Sequence, residues 1–143
     1  MVLGHSPHAR WQAEARRVLF FLGQFVGFAM RMLWFVEVPL PPLVWKAVMG
    51  VAPGRWDLHS VNQVALQVIE SIGGMETTKE EFEAFFFERF SAIDSSGNRV
   101  PLKAGGEAAP VTFESRGEYL RLLEHFYLHE FDDVAATFRA GAF

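Results

Sequence analysis

A long apolar run, Val18–Val36, limits what this chain can fold into more than any other feature of its sequence. Its letters, VLFFLGQFVGFAMRMLWFV, come close to the ~20 apolar residues that span a bilayer. Gln24 and Arg31 lie inside the run, and an arginine well inside a bilayer costs roughly 2.5–3.5 kcal/mol on insertion scales. We therefore predict a helix that other elements bury, and no membrane partner. The alternative is a small membrane-associated protein that uses this segment as a GxxxG helix.

The helix that contains this run is predicted to extend from about residues 8–11 to Val36. Gly23 and Gly27 lie four residues apart and therefore share one face. Because neither has a side chain, another backbone can approach this face closely. Such packing offsets a helix cost of about 1 kcal/mol for each glycine.

Capping signals mark the starts of the later helices. A capping box pairs a Ser or Thr with a Glu or Gln three residues on, so that each side chain satisfies a free backbone amide. Three segments have this pattern: Ser60–Gln63, Thr78–Glu81 and Ser115–Glu118. With the apolar spacing that follows them, we predict helices over Leu43–Met49, from Ser60 to Ile72, from Thr78 to Phe90, and from Arg116 to roughly Arg139.

One small β element completes the predicted fold. Ser91–Asp94 and Arg99–Lys103 flank a turn sequence, Asp-Ser-Ser-Gly-Asn, which is typical of a hairpin. The phenylalanines between Phe82 and Phe90 are predicted to be core. The fold class is therefore α+β, mainly α, with long helices and a short β-hairpin.

Composition excludes several kinds of site. The 143 residues contain no cysteine, which removes disulfides, thiolate zinc sites and any thiol nucleophile. The net charge of −4 offers no basic surface, so we predict no nucleic-acid partner. His125 and His129 share a helix face, but they lack the HExxH order and a third ligand. We interpret them as a solvated face and predict neither a metal nor a cofactor.

Three stretches of the chain resemble one family. The string FFLGQFVGFAMRM followed by VPLPPLVWKAVMG is similar to the large-lobe pattern of HECT-type ubiquitin ligase domains. The block FSAIDSSGNRVPLKAGGEAAPVTFESRGEYL resembles the strand–turn–strand, Pro-Val-Thr and Arg-x-Glu-Tyr segment of that family. The tail HFYLHEFDDVAATFRAGAF resembles the helix that leads to its F-x-x-G-F ending. The Leu-Val-Trp-Lys start and the Gly-Gly loop are similar to the branch that carries RCC1-like repeats.

The resemblance implies a partial HECT N-terminal lobe in three parts. Residues 1–59 would supply helices of the large subdomain, residues 60–119 the small subdomain that docks a ubiquitin-conjugating enzyme, and residues 120–143 a return helix. In the family, ubiquitin passes through a thioester to a cysteine in a C-terminal lobe and then to a substrate lysine. A chain without cysteine cannot do this alone, so no catalytic residue is predicted.

The resemblance also implies where the partners bind. The conjugating enzyme places an aromatic loop residue in an apolar groove, and matching motif positions put Tyr119 on one wall. The other wall would be formed by Ala65, Val68, Ile69, Ile72 and Met75. Ubiquitin itself would rest near Val26 and Leu128, and the protein substrate would bind regions absent here.

Two further expectations accompany this prediction. The family implies a cytoplasmic location, with the nucleus as an alternative. A third function class stays open beside the ligase and the membrane protein, namely a non-catalytic regulator that sequesters conjugating enzymes. A reading frame that continues into a cysteine-bearing segment would separate the ligase from the regulator.

Overall fold

The computed structural model describes residues 7–143, which form six α-helices, one 3-10 helix and one antiparallel pair of strands. In chain order the elements are α1 (Pro7–Arg31), α2 (Pro42–Met49), the 3-10 helix (Arg55–Ser60), α3 (Gln63–Gly73), α4 (Lys79–Phe85), β1 (Ser91–Ile93), β2 (Arg99–Pro101), α5 (Arg116–His129) and α6 (Asp132–Ala142). The α+β, mainly α fold class is thereby confirmed.

The described chain separates into two compact units. One consists of the chain up to Ala52 together with Phe131–Phe143, and the other is Pro53–Glu130. Residues 1–6 of the predicted first part lie outside the described residues. The predicted divisions after residues 59 and 119 differ from these boundaries, and the docking role of residues 60–119 stays a prediction.

The first unit is built from α1, α2 and α6. Val26 of α1, Val44 and Val48 of α2 and Phe138 of α6 are buried together in its core. The ring of Trp45 meets Phe138 edge-on, with 5.9 Å between their centroids. Such aromatic pairs add about 0.5–1.5 kcal/mol beyond the area that they bury.

The glycines of α1 allow α6 to pack at backbone distance. A Cβ added to Gly23 would overlap the carbonyl oxygen of Phe138, and one added to Gly27 would overlap that of Ala142. Gly141 of α6 also permits this close packing, because a Cβ added to it would overlap the carbonyl oxygen of Phe20 in α1. The predicted close approach of a second backbone is confirmed.

Helix α1 ends at Arg31, five residues before the predicted end at Val36. Leu33 adopts a left-handed conformation with φ 58°, and the Trp34 amide donates to the Ala29 carbonyl, which turns the chain out of the helix. Within residues 7–143, no helix is long and apolar enough to cross a membrane.

The second unit places its phenylalanines on two sides. Phe82 and Phe90 are buried, as predicted, and Phe82 stacks on Phe86 with 4.7 Å between ring centroids. Phe85 and Phe87 are 84% and 79% exposed, so their predicted place in the core is wrong. Helix α4 stops at Phe85 and Phe86 is extended, which ends the helical spacing that the prediction assumed.

Of the three predicted capping boxes, the one at Thr78 is confirmed. Thr78 accepts from the Glu81 amide, and the Glu81 carboxylate accepts from the Thr78 amide. Ser60 instead ends the 3-10 helix, and Asn62 caps α3 by accepting from the Ala65 amide at 3.0 Å. Ser115 does not cap α5 with its side chain, because its hydroxyl accepts from the Thr112 amide.

The predicted helix from Arg116 to Arg139 is two helices, α5 and α6. The break falls at Phe131, whose backbone is not helical and whose side chain packs against the core of the first unit. On the other side of the break, Glu130 accepts a hydrogen bond from the Ser95 amide of the hairpin turn. Tertiary contacts on either side of one residue therefore decide where the helix ends.

Candidate functional site

A groove between α3, the hairpin and α5 is the candidate site, and we call it the hairpin groove. Its volume is about 470 Å³. The structure brings three of the predicted docking residues, Ala65, Val68 and Tyr119, together along it. The full lining is Asn62, Val64, Ala65, Val68, Glu88, Ser91, Ala92, Ile93, Asp94, Arg99, Tyr119, Leu123 and Tyr127.

The α3 side of the hairpin groove is apolar and accessible. Val64 is 69% exposed and Val68 is 40% exposed, and both face outward from α3. Ile93 of β1 adds a third exposed apolar side chain at the rim. Ala65 and Leu123 are buried beneath them. An apolar group that entered the groove would remove these surfaces from water, at about 25 cal/mol per Å².

Tyr119 is held at the base of the hairpin groove by two phenylalanines. Its ring meets Phe90 and Phe86 edge-on, with centroid distances of 5.8 and 6.1 Å, and only 4% of the residue is exposed. Burial raises the pKa of Tyr119 to about 12, and the negative charge of Glu88 adds to the effect. The hydroxyl therefore stays neutral at physiological pH. The phenylalanines support the tyrosine from outside the lining of the groove and leave the groove open.

The hairpin side of the groove is polar, and its turn is fixed by one carboxylate. Asp94 accepts from the amides of Ser96 and Asn98 at 2.9 and 2.7 Å, and Gly97 supplies the positive φ of 83°. Arg99 donates to the buried Ser91 hydroxyl at 2.8 Å across the strand pair. These bonds give the rim of the groove a defined shape.

Helix α5 is attached to this hairpin by a second contact. The Tyr127 hydroxyl donates to the Ile93 carbonyl at 3.1 Å. Together with the bond between Glu130 and Ser95, this contact holds β1 against α5. The hairpin side and the α5 side of the groove are therefore joined by hydrogen bonds as well as by packing.

Acid is expected to weaken the hairpin through Asp94. Hydrogen bonds from Asn98, first its backbone amide, hold the pKa of Asp94 below its ordinary value. A depressed carboxyl pKa gives stability that is present above the unfolded pKa of about 3.9 and is lost as the pH falls through the folded pKa. We expect Asp94→Asn to lose less stability than the wild type below about pH 4, measured by urea unfolding at several pH values. Parallel pH curves for the two proteins would contradict this role.

The other predicted docking residues lie elsewhere. Ile69 is 1% exposed and Ile72 is buried, so both belong to the core of the second unit, although Ile72 also borders a separate cavity beside Phe113 and Arg116. Met75 follows α3, is 43% exposed and does not line the hairpin groove. Ile69 and Ile72 therefore belong to the inward stripe of the amphipathic helix, and the docking role of Ile69, Ile72 and Met75 stays a prediction.

The two predicted ubiquitin contacts are also placed by the structure. Val26 is buried in the core of the first unit, and its role in a ubiquitin contact stays a prediction. Leu128 of α5 is half-buried, and its role stays a prediction.

Several lining residues were missed by the sequence analysis. Val64 is one of them, although it lies four residues before the predicted Val68 and therefore shares the outer flank of α3 with it. Glu88, Ile93 and Tyr127 are brought to the groove only by tertiary packing.

Metal binding finds no support in the described part of the chain. Among residues 7–143, no group of three His, Cys, Asp or Glu side chains could hold an ion. His125 and His129 are exposed, with ring centroids 4.4 Å apart on the outer face of α5.

Comparison with known proteins points to one family. The sequence profile described as HECT-domain (ubiquitin-transferase) matches residues 3–143. The E3 ubiquitin-protein ligase HERC2 of Homo sapiens is 34% identical over 137 residues, which is 95% of this chain and 3% of that protein. The protein of the same name in Mus musculus is 33% identical over 121 residues, which is 85% of this chain and 2% of the mouse protein. The chain thus spans only a small share of the length of these relatives.

Proposed function

Because the chain belongs to the HECT-domain (ubiquitin-transferase) family, we propose that it is a docking part of a HECT-type ubiquitin-protein ligase. It binds a ubiquitin-conjugating enzyme in the hairpin groove, so that ubiquitin can pass to a cysteine elsewhere in the ligase and then to a substrate lysine. The chain supplies binding and orientation in this reaction. It holds no cysteine, so the thioester forms on another segment.

One observation carries this proposal. An open groove of about 470 Å³ runs beside Tyr119, with the exposed Val68 on its opposite wall. Both residues occupy positions at which the family resemblance places the docking groove. Because no phenylalanine among residues 7–143 lines this space, a ring from a partner can enter it.

The energetics suit a partner that must leave again. Burial of one aromatic side chain contributes about 1.5–3 kcal/mol. A small interface built around such a ring binds weakly, in the range of transient encounters. A conjugating enzyme must dissociate after each transfer in order to be recharged, so micromolar affinity fits this role.

Val68→Asp is expected to weaken binding of a conjugating enzyme about tenfold or more, because it places a charge that a partner ring would desolvate. The measurement is a titration of the labelled chain with a panel of conjugating enzymes, followed by fluorescence anisotropy. Val68 is 40% exposed and lies outside the buried core, so the variant is expected to fold.

Val51→Asp is the matched control, since Val51 is 52% exposed and lies outside the hairpin groove. It is expected to bind like the wild type. Absence of binding across a broad panel, or equal loss in both variants, would overturn the proposed docking function. Detection of the endogenous polypeptide by antibody would separate a ligase, which is longer and contains cysteine, from a regulator of this size.

A further inference from the structure

Two oxygen-bearing side chains of the hairpin groove have no hydrogen-bond or ion-pair partner among the described residues. Within residues 7–143, neither the Tyr119 hydroxyl nor the Glu88 carboxylate makes a hydrogen bond or an ion pair. Each of the other polar side chains of this lining makes a hydrogen bond. Asn62 accepts from the Ala65 amide, Asp94 from the amides of its turn, Tyr127 donates to the Ile93 carbonyl, and Arg99 donates to Ser91.

The Tyr119 hydroxyl faces the space of the groove. Only 4% of the residue is exposed, and its ring is enclosed by Phe86 and Phe90. Among the described residues, the one buried side-chain nitrogen or oxygen without a partner is Nη1 of Arg116. The Tyr119 oxygen is thus not among the fully buried atoms, and Tyr119 lines the groove. Its oxygen is therefore reached from the groove, where its lone pairs can accept a hydrogen bond.

Charge in the groove favours a cation. Glu88 and Asp94 each contribute a negative charge, against one positive charge from Arg99, and the whole chain carries −4. The Asp94 carboxylate is already used by backbone amides, so Glu88 is the acceptor that remains open. A carboxylate and a neutral phenol oxygen can both accept from one ammonium or guanidinium group.

We propose that the loop which enters the hairpin groove carries a lysine or arginine next to its apolar ring. The ring lies against Ala65 and Val68, and the cation is shared by the Glu88 carboxylate and the Tyr119 hydroxyl. This inference rests on the proposed docking function, because it names the chemistry of the partner at that same groove. It selects among partners, since an acidic residue at the same place would meet Glu88 at the rim.

Two isosteric substitutions test this chemistry on the full 143-residue chain. Glu88→Gln removes the charge, and binding of a conjugating enzyme is expected to fall about three- to fivefold at low salt. Tyr119→Phe removes only the hydroxyl and is expected to weaken binding about tenfold, as for loss of a hydrogen bond to a charged group. The loss in Glu88→Gln should shrink in 1 M salt, where charges are screened over a few ångströms.

Glu107→Gln is the control, because Glu107 is an exposed carboxylate outside the groove lining. It is expected to change binding less than twofold. If the wild type binds an enzyme while Glu88→Gln and Tyr119→Phe match this control, the shared-cation inference is wrong and the docking proposal stands.

A small-molecule probe tests the cation inference independently of whether a conjugating enzyme binds. Acetyl-Phe-Lys-amide, titrated to millimolar concentration, should shift the backbone amide signals of Ala65 and Val68 in NMR spectra of the ¹⁵N-labelled chain. Acetyl-Phe-Glu-amide should shift them at least threefold less at equal concentration. Selective response to the lysine probe supports the inference even if no conjugating enzyme binds, and equal response to both probes overturns it.

Discussion

Gly27→Val is expected to lower the free energy of unfolding by about 3 kcal/mol, the upper range for added bulk in a packed interior. The Cβ of a residue at this position would overlap the backbone of Ala142, and backbone cannot move aside as a flexible side chain can. The two helices must separate, which also loosens the packing of Val26 and Phe138 in the same core. The measurement is urea unfolding followed by helical circular dichroism.

Gly117→Ala and Gly27→Ala form the matched comparison. Both replace a helical glycine, and alanine gains up to about 1 kcal/mol in helix preference over glycine. At Gly117 nothing lies within 4 Å of the new Cβ, so that variant should be neutral or slightly more stable. At Gly27 the clash should outweigh the gain. If both alanine variants are equally stable, the close approach of α1 and α6 does not contribute to stability.

Phe82→Ala is expected to cost about 3–5 kcal/mol, the range for removal of a buried phenylalanine. Phe82 is 2% exposed, stacks on Phe86 and meets Phe113 edge-on at 6.0 Å. The resulting cavity would remove contacts from Phe86, which in turn supports Tyr119. We therefore expect both a lower urea midpoint and weaker docking of a conjugating enzyme.

Phe85→Ala, on the same helix, supplies the control. Phe85 is 84% exposed, and substitution there is expected to change stability by less than about 0.5 kcal/mol. A large loss of stability in Phe85→Ala, or none in Phe82→Ala, would show that the core of the second unit is assigned to the wrong face of α4.

Local sequence patterns correctly predicted those elements whose hydrogen bonds and contacts are made by residues close together in the chain. The box at Thr78 needs only four residues to close its hydrogen bonds, and the hairpin needs only its turn and two short strands. The glycine pair in α1 predicted a close backbone neighbour, although the partner, α6, lies more than a hundred residues later in the chain. Apolar spacing likewise placed Ala65, Ile69 and Ile72 on one side of a helix, and the structure buries all three.

Predictions were wrong where two parts of the chain compete for one residue. Ser60 has the side chain of a helix cap, but the 3-10 helix ahead of it uses that hydroxyl, and Asn62 caps α3 instead. The C-terminal helix breaks at Phe131 because its side chain packs in one unit while Glu130 bonds in the other. Local propensity is weak beside such tertiary contacts.

The candidate site also combines features that local sequence predicted with features that tertiary contacts decided. Periodicity found the face of α3 that carries large apolar residues, but burial in the core removes Ile69 from any surface. The groove is lined instead by the flank of α3 and by residues such as Glu88 and Tyr127, which no spacing in the sequence connects.

The amino-acid order alone determined the family, the helical class, the hairpin and the absence of a thiol for transfer chemistry, because each depends on residue identity or on contacts between near neighbours. Only the tertiary structure decided which side of α3 stays open, how Tyr119 is held between two phenylalanines and which polar groups of the groove remain unused. Those properties depend on side chains from distant segments that compete for the same space and the same hydrogen bonds. That competition is resolved only when the whole unit packs.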